Sequence, residues 1–280
     1  MKNFALSNGV ELPAVGLGTW QIQDREILKK LIGKAYENGY RMLDTAAAYS
    51  NEIGISKAIR ENAISREELC IVDKVWNTCW GFDEVQAACK NSLKKLKTDY
   101  LDLYLIHYPA SPKVYSNWNY INAETWRGME TLYREGYVKA IGVCNYKIHH
   151  LQELENTYEI CPMVNQIEIH PGLFDENMDM YCQKHGIVLQ AASPLGNGQI
   201  LQNEQLKELA KKKERTVAQI CLRWGIQKNV SVIPKTANLQ RLEENISIFD
   251  FELTEDEIRI IDNIPYCGGL NIDSDEVMKF

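Results

Sequence analysis

A chain of 280 residues with 45% hydrophobic and 25% charged residues is long enough to bury a large core, as two medium domains or as one α/β barrel. The formal net charge of −7 argues against a nucleic-acid partner and against an anionic membrane surface, because both require a concentrated positive surface. We therefore expect a small-molecule partner rather than a polyanion.

No run of about 18 uncharged apolar residues occurs, as a membrane-spanning helix would require. Residues 1–12 lack the apolar core of a signal peptide. These features predict a cytosolic protein. The eight cysteines include no Cys-x-x-Cys pair and lie mostly in apolar runs, so we expect reduced structural thiols, with neither a disulfide framework nor a metal site.

Short apolar runs alternate along the chain with segments of helical spacing. Asn8-Gly9 between two short apolar runs first predicts a β-hairpin over Phe4–Leu12. Strands are then predicted over Val15–Thr19, Arg41–Asp44, Leu69–Lys74, Leu101–His107, Val138–Val143, Pro162–Glu168, Ile187–Ala191 and Val230–Ile233. Helices are predicted over Ile27–Tyr36, Glu52–Glu61, Asp83–Lys97, Asn122–Glu135, Ile148–Asn156, Glu176–Lys184, Glu204–Lys213, Val217–Trp224, Leu239–Asn245 and Glu255–Asn263.

Eight strands, each followed by a helix, with no linker between the halves, predict one domain over residues 1–280. We expect a closed (β/α)8 TIM barrel preceded by the N-terminal β-hairpin. The alternative is a doubly wound open sheet, which would carry a Gly-x-Gly-x-x-Gly loop after its first strand. Gly16 to Gln21 lacks the third glycine of that loop.

Polar or aromatic side chains occur where the predicted strands end. In a parallel barrel these ends converge on one face, where active sites are built. A lone Lys74 or His107 would more often be structural, but the whole set predicts a site. The set consists of Thr19, Trp20, Asp44, Lys74, His107, Cys144, Asn145, Gln166, Glu168, Ser193 and Lys235.

Four of these side chains can transfer a proton together. We expect Lys74 to stabilise a phenolate at Tyr49 and so to lower its pKa, and Asp44 to pair with Lys74. His107 would donate a hydrogen bond to a substrate oxygen, and Tyr49 would protonate the developing alkoxide. No side chain supplies a hydride, so this chemistry predicts a nicotinamide cofactor.

At these residues the chain resembles the aldo-keto reductase family over nearly its whole length. The shared motifs are Gly16 to Trp20, Leu43 to Ala46 with Tyr49, Lys74 to Trp76, Leu105 to His107, Asn165-Gln166 with Glu168 and His170-Pro171, Ser193 to Gly196, and Ile233 to Lys235. The resemblance implies a (β/α)8 barrel and NAD(P)H-dependent reduction of aldehydes and ketones. It also implies that Tyr49 is the general acid, supported by Asp44, Lys74 and His107.

The resemblance further implies a set of cofactor contacts. Asn145 and Gln166 would hold the nicotinamide carboxamide. Lys235, Thr236 and Arg241 would bind the 2′-phosphate of NADPH, and two cations with a hydroxyl near a helix start make a local anion site on physical grounds as well. The remaining cofactor contacts implied are Thr19, Trp20, Asp44, Ser193, Leu195, Glu244 and Asn245.

Four positions depart from the family pattern. Ala192 stands where many relatives have an aromatic residue that stacks on the nicotinamide, and Cys144 replaces a serine, which weakens a hydrogen bond to the carboxamide. Tyr108 replaces a tryptophan after His107. Asp73 precedes Lys74 where a small polar residue is commoner.

Aromatic side chains in the loops predict an apolar or flat carbonyl substrate. The pocket candidates are Trp20, Trp76 and Tyr108, with Trp80, Tyr115 and Trp118 near them. The tail from Tyr266 to Phe280 is a candidate lid.

Two other functions are alternatives. Reduction of a carbon–carbon double bond goes, in this family, with a glutamate in place of the histidine, so His107 argues against it. A regulatory subunit that binds cofactor with negligible turnover is disfavoured by the intact set of Asp44, Tyr49, Lys74 and His107. The resemblance implies a monomer.

Overall fold

An antiparallel hairpin opens the structure, a computed structural model that describes residues 2–270 and 272–278. Its strands are β1 (Asn3–Ala5) and β2 (Glu11–Pro13). Gly9 has a φ of 84°, a left-handed conformation that glycine adopts without steric cost, and its amide donates to the Leu6 carbonyl at 2.8 Å. The predicted N-terminal hairpin is confirmed.

An eight-stranded parallel sheet follows, in which each strand pairs with its neighbours in sequence. This order is what a repeated strand–helix unit produces, because parallel neighbours need a crossover connection between them. The strands are β3 (Leu17–Gly18), β4 (Met42–Asp44), β5 (Cys70–Val75), β6 (Leu103–Ile106), β7 (Ile141–Cys144), β8 (Val164–Glu168), β9 (Val188–Ala192) and β10 (Ser231–Val232). All eight predicted strands are present.

The sheet is curled, and isolated bridges join residues in or next to its two edge strands. Val15 forms a parallel bridge with Val232, and Gly18 forms another with Lys235. The amide of Gly16 donates to the Val232 carbonyl at 2.9 Å. A Cβ on Gly18 would lie 3.0 Å from the Ile233 carbonyl oxygen, so a glycine here lets the two edges approach closely.

Ten α-helices connect or follow these strands in the described part of the chain. They are α1 (Arg25–Glu37), α2 (Glu52–Glu61), α3 (Phe82–Leu96), α4 (Trp118–Arg134), α5 (Ile148–Glu155), α6 (Glu176–His185), α7 (Glu204–Lys213), α8 (Val217–Gln227), α9 (Leu239–Ile246) and α10 (Glu255–Asp262). The first shows how they pack: α1 buries Leu28, Leu31, Ile32 and Ala35, which recur at helical spacing.

The predicted start of α4 is wrong by four residues. The sequence predicts a loop up to Ile121, but the helix begins at Trp118, and the amide of Ile121 already donates to the Asn117 carbonyl at 3.1 Å. Trp118 packs edge-on against His150, with ring centroids 5.7 Å apart. This tertiary contact has no counterpart in the local sequence pattern.

All eight cysteines are free, as the sequence predicts. Among residues 2–270 and 272–278, no helix combines the length and the apolar composition needed to cross a membrane.

Candidate active site

A buried ion pair lies at the carboxyl ends of β4 and β5. Lys74 Nζ donates to both carboxylate oxygens of Asp44, at 2.7 and 2.8 Å, and to the Thr45 carbonyl at 2.9 Å. Lys74 is fully buried and Asp44 nearly so. Burial lowers the pKa of Lys74, but the Asp44 carboxylate raises it and the net direction is upward. Lys74 is therefore a fixed ammonium inside the protein.

The loop after Asp44 is held by one buried amide, Asn51. Asn51 Nδ2 donates to the Thr19 carbonyl at 2.9 Å and to the Ile22 carbonyl at 3.1 Å, while its Oδ1 accepts from the Thr45 hydroxyl at 2.6 Å. Because Asn51 lies just beyond Tyr49, these bonds fix both ends of the short turn that carries the phenol. The sequence indicates only a helix start at this position.

Tyr49 lies between Lys74 and His107. Its ring is 5.2 Å from Lys74 Nζ, and its centroid is 5.7 Å from that of His107 in an edge-to-face arrangement. The structure thus brings together all four residues that the sequence predicts for proton transfer.

The pKa of Tyr49 depends on burial as well as on the expected effect of Lys74. Burial raises the pKa of Tyr49 from 10.0 to about 12, and the charge of Lys74 lowers it by less than burial raises it. The prediction of a lowered pKa is therefore wrong in its net direction. A buried phenol resists ionisation because the phenolate loses its hydration, so Tyr49 carries its proton near neutral pH.

His107 is a neutral imidazole. Burial lowers its pKa well below 6.5, and the charge of Lys74 lowers it further. Its Nδ1 is buried and has no hydrogen-bond partner among the described residues. A neutral histidine beside a protonated phenol can orient a polar ligand without adding a charge.

Two amides flank this group on the next strands. Gln166 Nε2 donates to Asp44 Oδ2 at 2.8 Å, and Asn145 Nδ2 donates to the His107 carbonyl at 2.9 Å. Asn145 has a φ of 61°, which turns the chain sharply after β7. The Cys144 thiol, in contact with the Asn145 amide at 3.2 Å, has a pKa raised to about 12 by burial and is therefore a neutral, weak donor.

A cavity of about 270 Å³ lies beside the start of α9. Neither Lys235 nor Arg241 forms an ion pair with any described residue. The cavity brings together six of the residues predicted from sequence to bind cofactor: Leu195, Lys235, Thr236, Arg241, Glu244 and Asn245. It adds four that were not predicted: Leu201, Thr216, Val217 and Ala218.

Thr216 is the most informative of the missed residues. Its hydroxyl donates to Glu244 Oε1 at 2.6 Å and accepts from the Gln219 amide at the start of α8. It is not among the residues predicted from sequence, since nothing local connects it to α9.

Comparison with known proteins identifies the family. The model of the Aldo/keto reductase family matches residues 14–265. The chain belongs to the aldo/keto reductase family. It is 44% identical to the glyoxal reductase of Bacillus subtilis over 98% of this chain and 96% of that protein.

Solved structures of the family have the same fold. An aldo-keto reductase from a Medee basin deep-sea metagenome library superposes with a TM-score of 0.92, is 38% identical, and covers 98% of this chain and 99% of its own. The aldo-keto reductase of Bombyx mori in complex with NADP gives a TM-score of 0.85 at 36% identity, covering 93% and 92% of the two chains.

The other predicted contacts of this aldo/keto reductase differ in accessibility. The Thr19 hydroxyl is fully buried and donates to the Asp44 carbonyl at 2.8 Å, so it supports the loop. Trp20 is 39% exposed. Ser193 has a φ of 46°, and its carbonyl accepts from the Gly196 amide at 2.8 Å.

Rings at the mouth of the site pack around His107. Tyr108 stacks on it at 5.3 Å, and Trp76 meets it edge-on at 5.1 Å. Trp80, a sequence candidate for the pocket, is instead buried, and its indole N–H donates to the Tyr108 carbonyl at 3.1 Å. It supports the pocket wall from behind.

The C-terminal tail crosses the same end of the sheet. The Leu270 amide donates to Glu168 at 2.8 Å, and Ser111 Oγ donates to the Asp275 carbonyl at 2.6 Å. Lys147 pairs with Asp275 at 2.8 Å. The expected lid therefore corresponds to a docked segment up to residue 278, and the parts at 271, 279 and 280 lie outside the described residues.

Proposed function

We propose that this protein reduces aldehydes and ketones to alcohols with NADPH, and that Tyr49 is the general acid. The observation that carries the proposal is the Lys74–Asp44 pair, at 2.7 Å, directly behind a protonated Tyr49 and beside a neutral His107. Proton donors arranged around one point stabilise charge that develops on a carbonyl oxygen.

The residues present fit NADPH. Lys235 and Arg241 are cations without an ion-pair partner among the described residues, and they line one cavity in a chain of net charge −7. A 2′-phosphate would supply the missing anion. The structure of the Bombyx mori aldo-keto reductase in complex with NADP supports the same assignment. When bound, NADPH supplies the hydride, and Asn145 and Gln166 would hold its carboxamide.

The protein's own residues then handle the proton. His107 orients the substrate oxygen, and Tyr49 donates its phenolic proton to that oxygen. The Lys74 ammonium stabilises the phenolate that remains, and Asp44 keeps Lys74 in place. The raised pKa of Tyr49 is consistent with this role, because a general acid must carry its proton before the substrate binds.

We infer that the curled sheet forms a closed (β/α)8 barrel and that residues 1–280 form one domain. The bridges from Val15 to Val232 and from Gly18 to Lys235 support closure, since they join the edge strands. A cytosolic monomer stays a prediction.

Small aldehydes with an adjacent carbonyl group are the substrates that we propose to test first. The likeness to the glyoxal reductase supports this class. Trp76 and Tyr108, which pack around His107, favour flat carbonyl compounds as well.

The test measures NADPH oxidation with glyoxal, methylglyoxal and aromatic aldehydes in wild type and Tyr49→Phe. Loss of the phenolic proton should lower kcat about 100-fold or more, with little change in NADPH affinity. Equal turnover in Tyr49→Phe would refute the assignment of the acid. Tight NADPH binding without turnover of any carbonyl in wild type would favour the regulatory subunit.

A further inference from the structure

Three buried polar side chains stand side by side on the inner rows of β8, β9 and β10. Gln166 is in register with Gln190, and Gln190 with Ser231. Gln190 and Ser231 have no solvent exposure at all. Burying an amide and a hydroxyl among apolar side chains is costly unless their hydrogen bonds are satisfied, so this row requires an explanation beyond packing.

We propose that Gln190 is a positioning residue that fixes the amide of Gln166 with its oxygen facing the nicotinamide carboxamide. The inference rests on the proposed function, in which Gln166 contacts that carboxamide. Gln190 itself is one strand further from the proton-transfer residues and would touch neither substrate nor cofactor.

The direction of every bond in the row follows from a backbone anchor. The Pro13 carbonyl can only accept, and the Ser231 hydroxyl donates to it at 3.1 Å. The Ser231 oxygen then has only its lone pairs left, and it accepts from Gln190 Nε2 at 3.2 Å. With its amino group turned toward Ser231, Gln190 presents its oxygen to Gln166 Nε2 at 2.7 Å.

The amide of Gln166 is thereby fixed at both hydrogens. One is donated to Gln190 Oε1 at 2.7 Å and the other to Asp44 Oδ2 at 2.8 Å. Among the residues that the structure describes, its oxygen accepts only from the Cys144 thiol, at 3.7 Å, which is a weak donor. Gln166 Oε1 therefore retains acceptor capacity, and the amino group of a carboxamide is a matching donor.

Without Gln190, one hydrogen of Gln166 would lose its acceptor. Asp44 would then hold the amide by one hydrogen alone. The amide would gain rotational freedom, and its oxygen would be less well aligned with the amino group of the carboxamide. The loss would appear as weaker recognition of that one group of the cofactor. The phosphate contacts at Lys235 and Arg241 would be unaffected.

The experiment measures dissociation constants by calorimetry for NADPH and for its reduced 3-acetylpyridine analogue, in which a methyl ketone replaces the carboxamide. Wild type should bind NADPH about three- to ten-fold more tightly than the analogue, which is the contribution of one hydrogen bond. Gln190→Met removes both amide bonds at similar volume and should reduce that preference to within about two-fold. Gln190→Glu retains an acceptor toward Gln166 and should restore the preference for NADPH.

Gln227→Met is the matched control. Gln227 is a partly buried amide at the end of α8, and its hydrogen bonds to the Leu253 backbone do not involve this row. The same substitution there should leave the preference unchanged. Ser231→Ala removes the anchor with a smaller change in volume, and it provides a second route if Gln190→Met does not fold. It should also weaken the preference.

Each result has a defined meaning. If wild type binds neither cofactor, the proposed function fails. If wild type binds NADPH and the analogue equally tightly, Gln166 does not distinguish the carboxamide and the inference is wrong. If wild type prefers NADPH and the Gln190→Met and Ser231→Ala variants keep that preference, or lose affinity for both cofactors equally, Gln190 is structural only and the inference is likewise wrong.

Discussion

Asp73 should make the protein less stable as the pH rises toward neutrality. It lies on β5 next to Lys74, and since side chains alternate along a strand, it points to the opposite face. Its Oδ1 accepts from the Lys74 amide at 2.8 Å, and its Oδ2 is buried without a partner among the described residues. Burial raises the pKa of Asp73 from 3.8 to about 7, and the charge of Glu52 on α2 adds to this.

The magnitude follows from proton linkage. In the unfolded chain the carboxyl ionises near its ordinary pKa of 3.8, whereas in the folded protein it does so at about 7. The folded state therefore binds more protons in this window, and its stability falls as the pH rises through it. Between about pH 5 and pH 8 the loss is about 2 to 3 kcal/mol. For 280 residues this corresponds to about 4 °C in Tm.

The perturbation is Asp73→Asn, which resembles the protonated carboxyl and cannot ionise. The melting temperature of wild type and variant is measured from pH 5 to pH 8, and the difference, variant minus wild type, should grow by about 4 °C. Asp83→Asn, at an exposed position in the first turn of α3, controls for the chemical change itself. A difference for Asp73→Asn that stays constant or shrinks with rising pH would refute the reasoning.

Three further substitutions test other parts of the structure. Arg241→Ala should weaken NADPH binding about ten-fold or more and leave NADH binding unchanged, in a titration of each cofactor, and equal losses would contradict the phosphate contact. Lys147→Met removes the ion pair with Asp275, so limited proteolysis should cleave the C-terminal tail faster while the Tm stays unchanged. An unchanged cleavage rate would show that other contacts hold the tail. Gly128→Ala should destabilise by about 1 to 3 kcal/mol in urea unfolding, because its Cβ would lie 2.6 Å from the Phe82 carbonyl; increased stability would mean that α3 and α4 can separate at no cost.

The residues at strand ends could be predicted because the topology alone brings them together. Asp44, Lys74 and His107 each follow an apolar run, and a parallel sheet in sequence order places such ends at one edge. Tyr49 could be found as well, because it lies five residues from Asp44 on the same loop. Because of this parallel topology, the candidate proton-transfer group can be predicted from a single sequence.

The electrostatic balance could not be predicted in the same way. The sequence shows that Lys74 can approach Tyr49, but the net direction of the pKa depends on how much water the folded loops exclude. Thr216 and Gln190 were missed for a related reason. Each acts through a contact with a residue 28 or 24 positions away, and the register of neighbouring elements sets such contacts.

Asp44 joins the proposed proton-transfer group of the site to the proposed cofactor contact at Gln166. Its Oδ2 accepts from Lys74 Nζ and from Gln166 Nε2, both at 2.8 Å. A substitution at Asp44 would free both the Lys74 ammonium behind Tyr49 and the Gln166 amide. Its kinetic effect therefore could not be assigned to the loss of one contact or the other. Tyr49→Phe and Gln190→Met each change one side only. If both proposals hold, Asp44→Asn should lower kcat as the first variant does and also reduce carboxamide preference as the second does, which is the signature of a shared carboxylate.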